Sequence, residues 1–174
     1  MEGIVLFEDE VVFYQSGTTC QTWAEKGSGI ISESAPGRKT KKALGVVSVE
    51  KDPKFYFRFE EVFNASTFQA FLQKIVNRYR NRKVFLIMDN AKYHHSNTLK
   101  PWLEDNKDKI ELHFLPAYSP NLNPIERVWK KAKKSSLHNR CFKEISDLQE
   151  AIFRRFNRFQ GNPAALRGAI KDFI

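Results

Sequence analysis

The stretch Ser119-Pro-Asn-Leu-Asn-Pro-Ile-Glu-Arg-Val-Trp129 predicts a stiff loop that delivers a carboxylate to a fixed place in the fold. Pro120 and Pro124 restrict the loop, because each proline ring fixes its own φ angle. A helix then begins at Pro124, since proline is favoured in the first helical turn, and runs to about Leu137. Glu126 therefore lies in the first turn of this helix, directly behind a rigid connection.

Two further acids follow apolar runs elsewhere in the chain. Asp89 comes directly after Val84-Phe-Leu-Ile-Met88, which is apolar throughout, as expected of a central strand. Asp9 ends the apolar run that begins with Ile4-Val-Leu-Phe7. If these strands are neighbours, both acids lie at adjacent positions in the sheet, and Glu126 reaches them from a helix packed over that edge. Mg²⁺ prefers carboxylate and water oxygens, so the three acids predict a divalent-metal site.

Each acid also has a simpler interpretation, and the sequence leaves it open. Asp9 belongs to the acidic run Glu8-Asp-Glu10, and acids at a strand end are often only solvated. Asp89 followed by asparagine is a common turn signal. Glu126 stands three residues after Asn123, where it can complete a capping box, and it can pair with the lysine one turn later. The combination with the Pro-Asn-Leu-Asn-Pro frame favours the metal site.

The hydrophobic pattern predicts one α/β domain over residues 1–174, with a mixed sheet flanked by helices. Its first third is typical of an antiparallel meander, and a later strand, helix and strand make a parallel crossover. The predicted strands are 4–7, with 11–14 as its continuation or return, then 20–24, 43–49, 55–59, 84–88 and 110–115. The predicted turns and loops include 16–19, 27–29 and 35–42. The first predicted helix is capped by Asn64 or Ser66 and ends near Tyr79. Four more helices are predicted over 96–108, 124–137, 144–159 and 163–173.

The charge of the chain favours a polyanionic partner. Its 174 residues carry a formal net charge of +9, a bias that ribosomal and membrane-surface proteins share. The segment after Glu126 contains no acid as far as residue 143. Its basic residues are Arg127, Lys130, Lys131, Lys133, Lys134, Arg140 and Lys143. We interpret them as a track for DNA phosphates rather than as a merely solvated helix face. A second, looser basic candidate consists of Arg38, Lys39, Lys41 and Lys42.

Other classes of site and location have less support. No apolar run is long enough to span a bilayer, and the N-terminus does not resemble a signal peptide. Cys20 and Cys141 lie far apart, which favours reduced thiols in the cytosol. The four histidines have no cysteine pair at ligand spacing, so the sequence contains no zinc motif.

Two runs of sequence resemble the catalytic domain of mariner-type DDE transposases, especially their bacterial insertion-sequence branch. They are Asp89-Asn-Ala-Lys-Tyr-His94 and Leu115-Pro-Ala-Tyr-Ser-Pro-Asn-Leu-Asn-Pro-Ile-Glu-Arg-Val-Trp129, and Phe7-Glu-Asp-Glu10 and Thr22-Trp-Ala-x-x-Gly27 also match. The resemblance implies a ribonuclease-H-like fold. The implied metal-binding catalytic residues are Asp9, Asp89 and Glu126, and the implied supporting residues are Glu10, Asn90 and His94.

The resemblance also implies an activity: two Mg²⁺ or Mn²⁺ ions, strand cleavage at transposon ends and strand transfer into target DNA. The implied partners are double-stranded DNA and a second copy of the chain on that DNA, in the cytoplasm at the bacterial nucleoid, with no membrane. The 36 residues between Asp89 and Glu126 slightly exceed the usual family spacing. Family members carry an N-terminal helix-turn-helix region, which we expect to be absent from this chain and supplied upstream or by a partner.

Two alternative functions remain at this stage. One is a ribonuclease-H-like nuclease that cuts without joining. The other is an inactive, domesticated transposase that only binds DNA. Three intact acids argue against decay of the site, but a strand-transfer assay is needed to separate the three functions.

Overall fold

A five-stranded mixed sheet forms the centre of the molecule in the computed structural model, which describes residues 3–16, 25, 39–117, 119–138 and 140–174. The strands are β1 (Gly3–Tyr14), β2 (Thr40–Ser48), β3 (Phe55–Glu60), β4 (Lys83–Met88) and β5 (Ile110–Phe114). Their order across the sheet is β3-β2-β1-β4-β5. β1, β2 and β3 pair antiparallel, whereas β4 pairs parallel with both β1 and β5. The predicted mixed α/β sheet, with its meander first, is confirmed.

Helices cover both faces of this sheet. They are α1 (Ala65–Arg78), α2 (Lys100–Asp105), α3 (Ile125–Ser136), α4 (Ile145–Gly161) and α5 (Pro163–Arg167). Short 3₁₀ turns lie at Lys92–His95, Asn97–Leu99, Pro120–Leu122 and Lys171–Phe173. One apolar core lies between the sheet and α1, and a second lies between the sheet and α3, α4 and α5. Among the described residues, no helix is both long and apolar enough to cross a bilayer.

β1 contributes to both cores because its side chains alternate between the two faces of the sheet. Ile4 and Leu6 are buried in the α1 core, whereas Val11 and Phe13 are buried in the core beneath α3 and α4. Asp9 lies inside β1 rather than after its end, so the predicted strand over 4–7 was too short. β1 continues without a break to Tyr14, because β2 pairs with it over that whole length, so residues 11–14 continue the strand rather than return.

Other boundaries differ by more than one turn. The helix predicted over 96–108 is reduced to 3₁₀ turns and the six residues of α2, which Pro101 opens and a turn at Asn106 ends. Residues 40–42, predicted as loop, belong to β2 because the long β1 offers them partners. The predicted cap at Asn64 is confirmed. The predicted strand 20–24, the break at 27–29 and most of the turn at 16–19 lie outside the described residues.

Candidate active site

Parallel pairing of β1 with β4 brings two of the three predicted acids to the same level of the sheet. The pairs run from Gly3–Lys83 to Phe7–Ile87. Asp89 is the first residue after β4, and the same register, continued two residues further, places Asp9 opposite it. The predicted neighbourhood of the two strands is therefore confirmed, although Asp9 reaches that level from the middle of β1.

The Pro-Asn-Leu-Asn-Pro loop fixes the start of α3 against β1. The side chain of Asn123 is buried, and its Nδ2 donates to the backbone carbonyl of Glu8 at 2.8 Å. Glu126 lies in the first turn of α3, and the described residues give its side chain no hydrogen bond or ion pair. The helix has no side-chain cap, so the capping box does not form, and no ion pair between Glu126 and Lys130 is found among the described residues. The carboxylate is thus held in place by the backbone and remains available to a ligand.

Asp9, Asp89 and Glu126 line one cleft of about 320 Å³. The other lining residues come from the ends of β4 and β5 and from the loop before α3: Asn90, Ala91, Leu115, Pro116, Ala117, Ser119 and Asn123. Three separate elements therefore present an acid to one space that opens to solvent. The cleft has the size of a small ligand site, large enough for a hydrated cation and a phosphate group.

Trp129 positions the side chain of Asp9. Its indole Nε1–H donates to Oδ2 of Asp9 at 3.0 Å, across 120 residues of sequence. The indole lies over Gly45, the residue of β2 that pairs with Asp9. A Cβ at that position would lie only 2.9 Å from Cζ2 of Trp129 and closer still to Cη2, so the contact requires glycine. Burial, followed by the charges of Glu126 and Glu10, raises the pKa of Asp9 to about 8.

The residues after β4 hold Asp89 at the mouth of the cleft. Its Oδ1 accepts a hydrogen bond from the backbone N–H of Ala91 at 2.9 Å, so the turn that the sequence suggested does form. Its side chain nevertheless remains 55% exposed and lines the cleft. Asn90 donates from Nδ2 to the carbonyl of Leu115 at 2.8 Å, which ties the ends of β4 and β5 together. Turn and binding site are compatible here, because the second carboxylate oxygen is not used by the turn.

His94 and two further acids form a buried cluster beside Asp89. Nδ1 of His94 lies 3.3 Å from the backbone carbonyl oxygen of Asp89 and 3.4 Å from its Oδ1. Nε2 of His94 lies 3.8 Å from Oε2 of Glu8 and 3.7 Å from Oε1 of Glu10. Burial lowers the pKa of His94 and raises that of Glu8 well above its ordinary value. Burial and the charge of Asp89 raise the pKa of Glu10 to about 7.

Sequence reasoning missed Glu8 and the role of Trp129. Nothing local in the sequence indicates the hydrogen bond that joins Trp129 to Asp9. A signal for Glu8 does exist, since alternation along β1 places it on the same buried face as Ile4 and Leu6. A charged residue at a buried strand position indicates either a paired group or a functional one.

The predicted basic track is only partly free to meet DNA. Lys130, Lys131 and Lys134 are exposed on α3. Nζ of Lys133 lies over the ring of Phe13, 5.8 Å from its centroid, so this lysine packs onto the core. The remaining members lie at the two ends of α3: Arg127 is 4.0 Å from Oδ2 of Asp172, and Arg140 and Lys143 are exposed beyond the helix.

The second basic candidate does not form a free patch. Lys41 pairs with the carboxylate of Glu61 at 3.7 Å, and Nζ of Lys42 donates to the carbonyl of Glu61 at 3.1 Å. Lys39 is exposed, and Arg38 lies outside the described residues. The extension of β2 places Lys41 and Lys42 beside β3 and the residues that follow it, and a role of this candidate in DNA binding stays a prediction.

The geometry agrees with the sequence relationships of the chain. The sequence profile of the DDE superfamily endonucleases matches residues 4–149. The chain belongs to this family. Over 78 residues it is 37% identical to the uncharacterized protein y4pE/y4sA of Sinorhizobium fredii. This alignment covers 45% of the chain and 54% of that protein. Over 68 residues it is 34% identical to the uncharacterized 39 kDa protein of the insertion element IS630 of Shigella sonnei. This alignment covers 38% of the chain and 20% of that protein.

Solved structures of the Mos1 mariner transposase have a similar fold. The Mos1 catalytic domain is 15% identical, with a TM-score of 0.53 over 97% of this chain and 81% of that one. A Mos1 paired-end complex with Mn is 18% identical, with a TM-score of 0.63 over 96% of this chain and 53% of that one. The ribonuclease-H-like fold of transposase catalytic domains is therefore confirmed. This DDE-family chain spans about half the length of the first of these relatives and of the Mos1 chain in that complex.

Proposed function

We propose that the chain is the catalytic domain of an insertion-sequence transposase, which cuts DNA at transposon ends and transfers the cut strands into target DNA. The observation that carries the proposal is the convergence of Asp9, Asp89 and Glu126 on one open cleft. Within the described part of the chain, no lysine or arginine forms an ion pair with any of these acids. Uncompensated acids in a chain of net charge +9 favour a bound cation, and through it a phosphate.

The residues of the cleft fit divalent cations such as Mg²⁺ or Mn²⁺, and we propose two ions. The donors are carboxylate oxygens, and the carboxylate of Glu126 has no protein partner among the described residues. The pKa of Asp9 is raised because burial and the neighbouring acids disfavour its charged form, and a bound cation would offset that cost. When bound, such ions neutralise the phosphate and lower the pKa of the attacking water or hydroxyl group.

The surrounding residues fix the direction in which each acid points. Trp129 holds Asp9, the buried side chain of Asn123 holds the start of the helix that carries Glu126, and the backbone N–H of Ala91 holds Asp89. Such preorganisation matters because a misplacement of about 1 Å at a reacting centre can cost about 10²-fold in rate. These contacts therefore belong to the proposed catalytic machinery although none of them touches the substrate.

DNA would approach along α3. Lys130 and Lys134 stand one and two turns after Glu126, so the three side chains follow one side of the helix. At about 1.5 Å per residue, Lys134 lies about 12 Å along the axis from Glu126, roughly three to four nucleotide steps of one strand. Contacts of this kind position DNA but do not read its sequence.

The known complexes of similar fold suggest the partners. Mos1 has been solved in paired-end and strand transfer complexes with DNA, and with Mg or Mn. We propose that this chain likewise acts on double-stranded DNA, as a homodimer on two transposon ends, at the bacterial nucleoid. We further propose that a separate or upstream region reads the end sequence, because the residues of the exposed track suit phosphates only.

The test is a strand-transfer assay with paired transposon-end duplexes, a supercoiled target and Mg²⁺ or Mn²⁺. The proposal predicts metal-dependent cleavage at the ends followed by joined products. Cleavage without joining would indicate a ribonuclease-H-like nuclease instead. Binding without cleavage under both metals would indicate a protein that has kept only its affinity for DNA. The duplexes should be supplied with the recognition region of a full-length relative, so that failure to find the ends is not mistaken for lack of chemistry.

A further inference from the structure

The two faces of β1 carry different acids. Asp9 faces Trp129 on α3, whereas Glu8 and Glu10 face His94, whose ring packs on Phe68 of α1 at a centroid distance of 4.4 Å. The cluster of Glu8, Glu10 and His94 therefore lies behind the strand, on the side away from Asp9. Among the described residues, Asp89, at the end of β4, is the acid that borders both this cluster and the cleft.

Three polar atoms of the cluster are buried without a hydrogen bond. They are Oε1 and Oε2 of Glu8 and Nε2 of His94, and both residues have at most 2% of their surface exposed. Buried polar groups in folded proteins are nearly always satisfied, so these atoms need a partner that the protein itself does not supply. Glu8 and His94 point towards each other, with 3.8 Å between Oε2 and Nε2, and too far apart to satisfy one another directly.

The orientation of His94 is the one that a metal ligand adopts. Its Nδ1 lies 3.3 Å from the carbonyl oxygen of Asp89, so Nδ1–H can donate to that oxygen and leave the lone pair on Nε2. A histidine that binds a metal almost always donates its other ring N–H to a carbonyl or carboxylate in this way. Nε2 then faces the carboxylates of Glu8 and Glu10, at 3.8 and 3.7 Å.

The spacing of these atoms is close to that required by one ion. Bonds of about 2.0 to 2.2 Å place neighbouring ligand atoms about 3.0 to 3.5 Å apart. The separations of Nε2 of His94 from the carboxylates of Glu8 and Glu10 exceed this range by a few tenths of an ångström, which small side-chain rotations can close. Glu10, Asp89 and His94 each offer one ligand atom within 4.8 Å of the others, and side-chain movements of about 1 Å would bring these three atoms to the spacing of one ion.

We propose that His94, Glu10 and Asp89 bind a divalent transition-metal ion, with Asp89 shared with the cleft and the buried carboxylate of Glu8 beside Nε2 of His94. The imidazole nitrogen favours Zn²⁺, Co²⁺ or Mn²⁺ over Mg²⁺, which prefers oxygen ligands alone. The ion would lie beside the proposed catalytic acids, on the face of β1 opposite the side chain of Asp9, and would fix the position of Asp89. The proposal concerns binding and does not depend on strand transfer.

The test is to detect nitrogen ligation of Mn²⁺ by electron spin echo spectroscopy, because ¹⁴N modulation reports an imidazole ligand that the Asp9 and Glu126 side of the cleft lacks. The Asp9→Asn/Glu126→Gln double variant should keep the ¹⁴N signal. His94→Gln should lose it, and the matched control His95→Gln, which changes the neighbouring exposed histidine, should keep it. Loss of the signal in the double variant, or its survival in His94→Gln, would overturn the proposal.

A second measurement covers the case in which His94→Gln fails to fold, since that side chain is buried. Glu8→Gln and Glu10→Gln keep the size of each side chain and the histidine, and each should weaken Zn²⁺ binding by about tenfold or more in calorimetry. Unchanged Zn²⁺ affinity in both variants would refute the site. Strand cleavage in Mg²⁺ is recorded for each protein in parallel. Cleavage without a ¹⁴N signal in the unaltered chain rejects this site alone, whereas a signal without cleavage rejects only the proposed function.

Discussion

Replacing Gly45 by alanine should disturb the cleft without touching any acid. The added Cβ would stand 2.9 Å from Cζ2 of Trp129 and closer to Cη2, whereas carbon atoms pack at about 3.5 to 4.0 Å. The indole is buried, so it must retreat by about 1 Å into a filled core. Overpacking of this kind costs about 1 to 3 kcal/mol, or roughly 2 to 12 °C in the thermal midpoint of a chain of this size.

The same movement should break the bond from Trp129 to Asp9, which is 3.0 Å long. A displacement of about 1 Å at the site should slow strand cleavage by about 10²-fold. Trp129→Phe isolates this effect, because it removes the donor and retains much of the ring. We expect a similar loss of rate in Trp129→Phe, with a different loss of stability.

The matched control for Gly45→Ala is Gly161→Ala, at the end of α4, where an added Cβ meets nothing within 4 Å. Thermal unfolding and single-turnover cleavage should be measured for both variants. The control should keep the rate of the unaltered chain and change its stability by no more than about 0.5 kcal/mol. If Gly45→Ala melted and cleaved like Gly161→Ala, the account of how Asp9 is held would be wrong.

Three further predictions concern charge. The pKa of Asp9 is raised from 3.8 to about 8, so its contribution to stability is complete below pH 4 and disappears as the pH rises through 8. Without divalent cations, urea unfolding should therefore show stability falling over this range, by at most about 1.4 kcal/mol per pH unit from this group, and Asp9→Asn should flatten the decline. Mg²⁺ at pH 8 should raise the thermal midpoint, and an equal rise in a variant with all three acids changed to amides would indicate a nonspecific effect. Replacing Lys130, Lys131 and Lys134 by glutamine should weaken DNA binding and lower the log–log salt slope by about one per lost phosphate contact. The control replaces three exposed lysines near the other face of the sheet, Lys74, Lys100 and Lys109. An equal loss of DNA binding in the control would mean that the α3 lysines only form a solvated surface.

The fold and the meeting of the acids follow from local signals and simple rules of topology. Apolar runs identify the strands, and parallel strands bring the residues that follow them to one edge of the sheet. Asp89 could therefore be placed from sequence, and Glu126 could be placed by the prolines that precede it. The 12-residue length of β1 was harder to predict, because the acids Glu8 to Glu10 interrupt its apolar pattern and only pairing with β2 keeps it extended.

The contacts that orient the acids could not be predicted, because they join residues far apart in sequence. Trp129 meets Asp9 only once α3 packs across β1, and Gly45 becomes necessary only when an indole lies over it. Tertiary packing also decides which lysines remain free. The 3.6-residue period placed Lys133 with its neighbours, but the ring of Phe13 beneath it binds its ammonium group.

The most direct test of the proposed function is the cleavage rate of three single variants, Asp9→Asn, Asp89→Asn and Glu126→Gln, with Mg²⁺ on duplexes that carry a transposon end. Each change keeps the size of the side chain and removes the charge that holds a cation. Glu111→Gln is the matched control, because Glu111 is an exposed acid on β5 paired with Lys83. We predict that each of the three variants loses cleavage and joining by about 10³-fold or more while folding and nonspecific DNA binding persist, and that the control cleaves normally. Near-normal cleavage by any one of the three would contradict the assignment of the site.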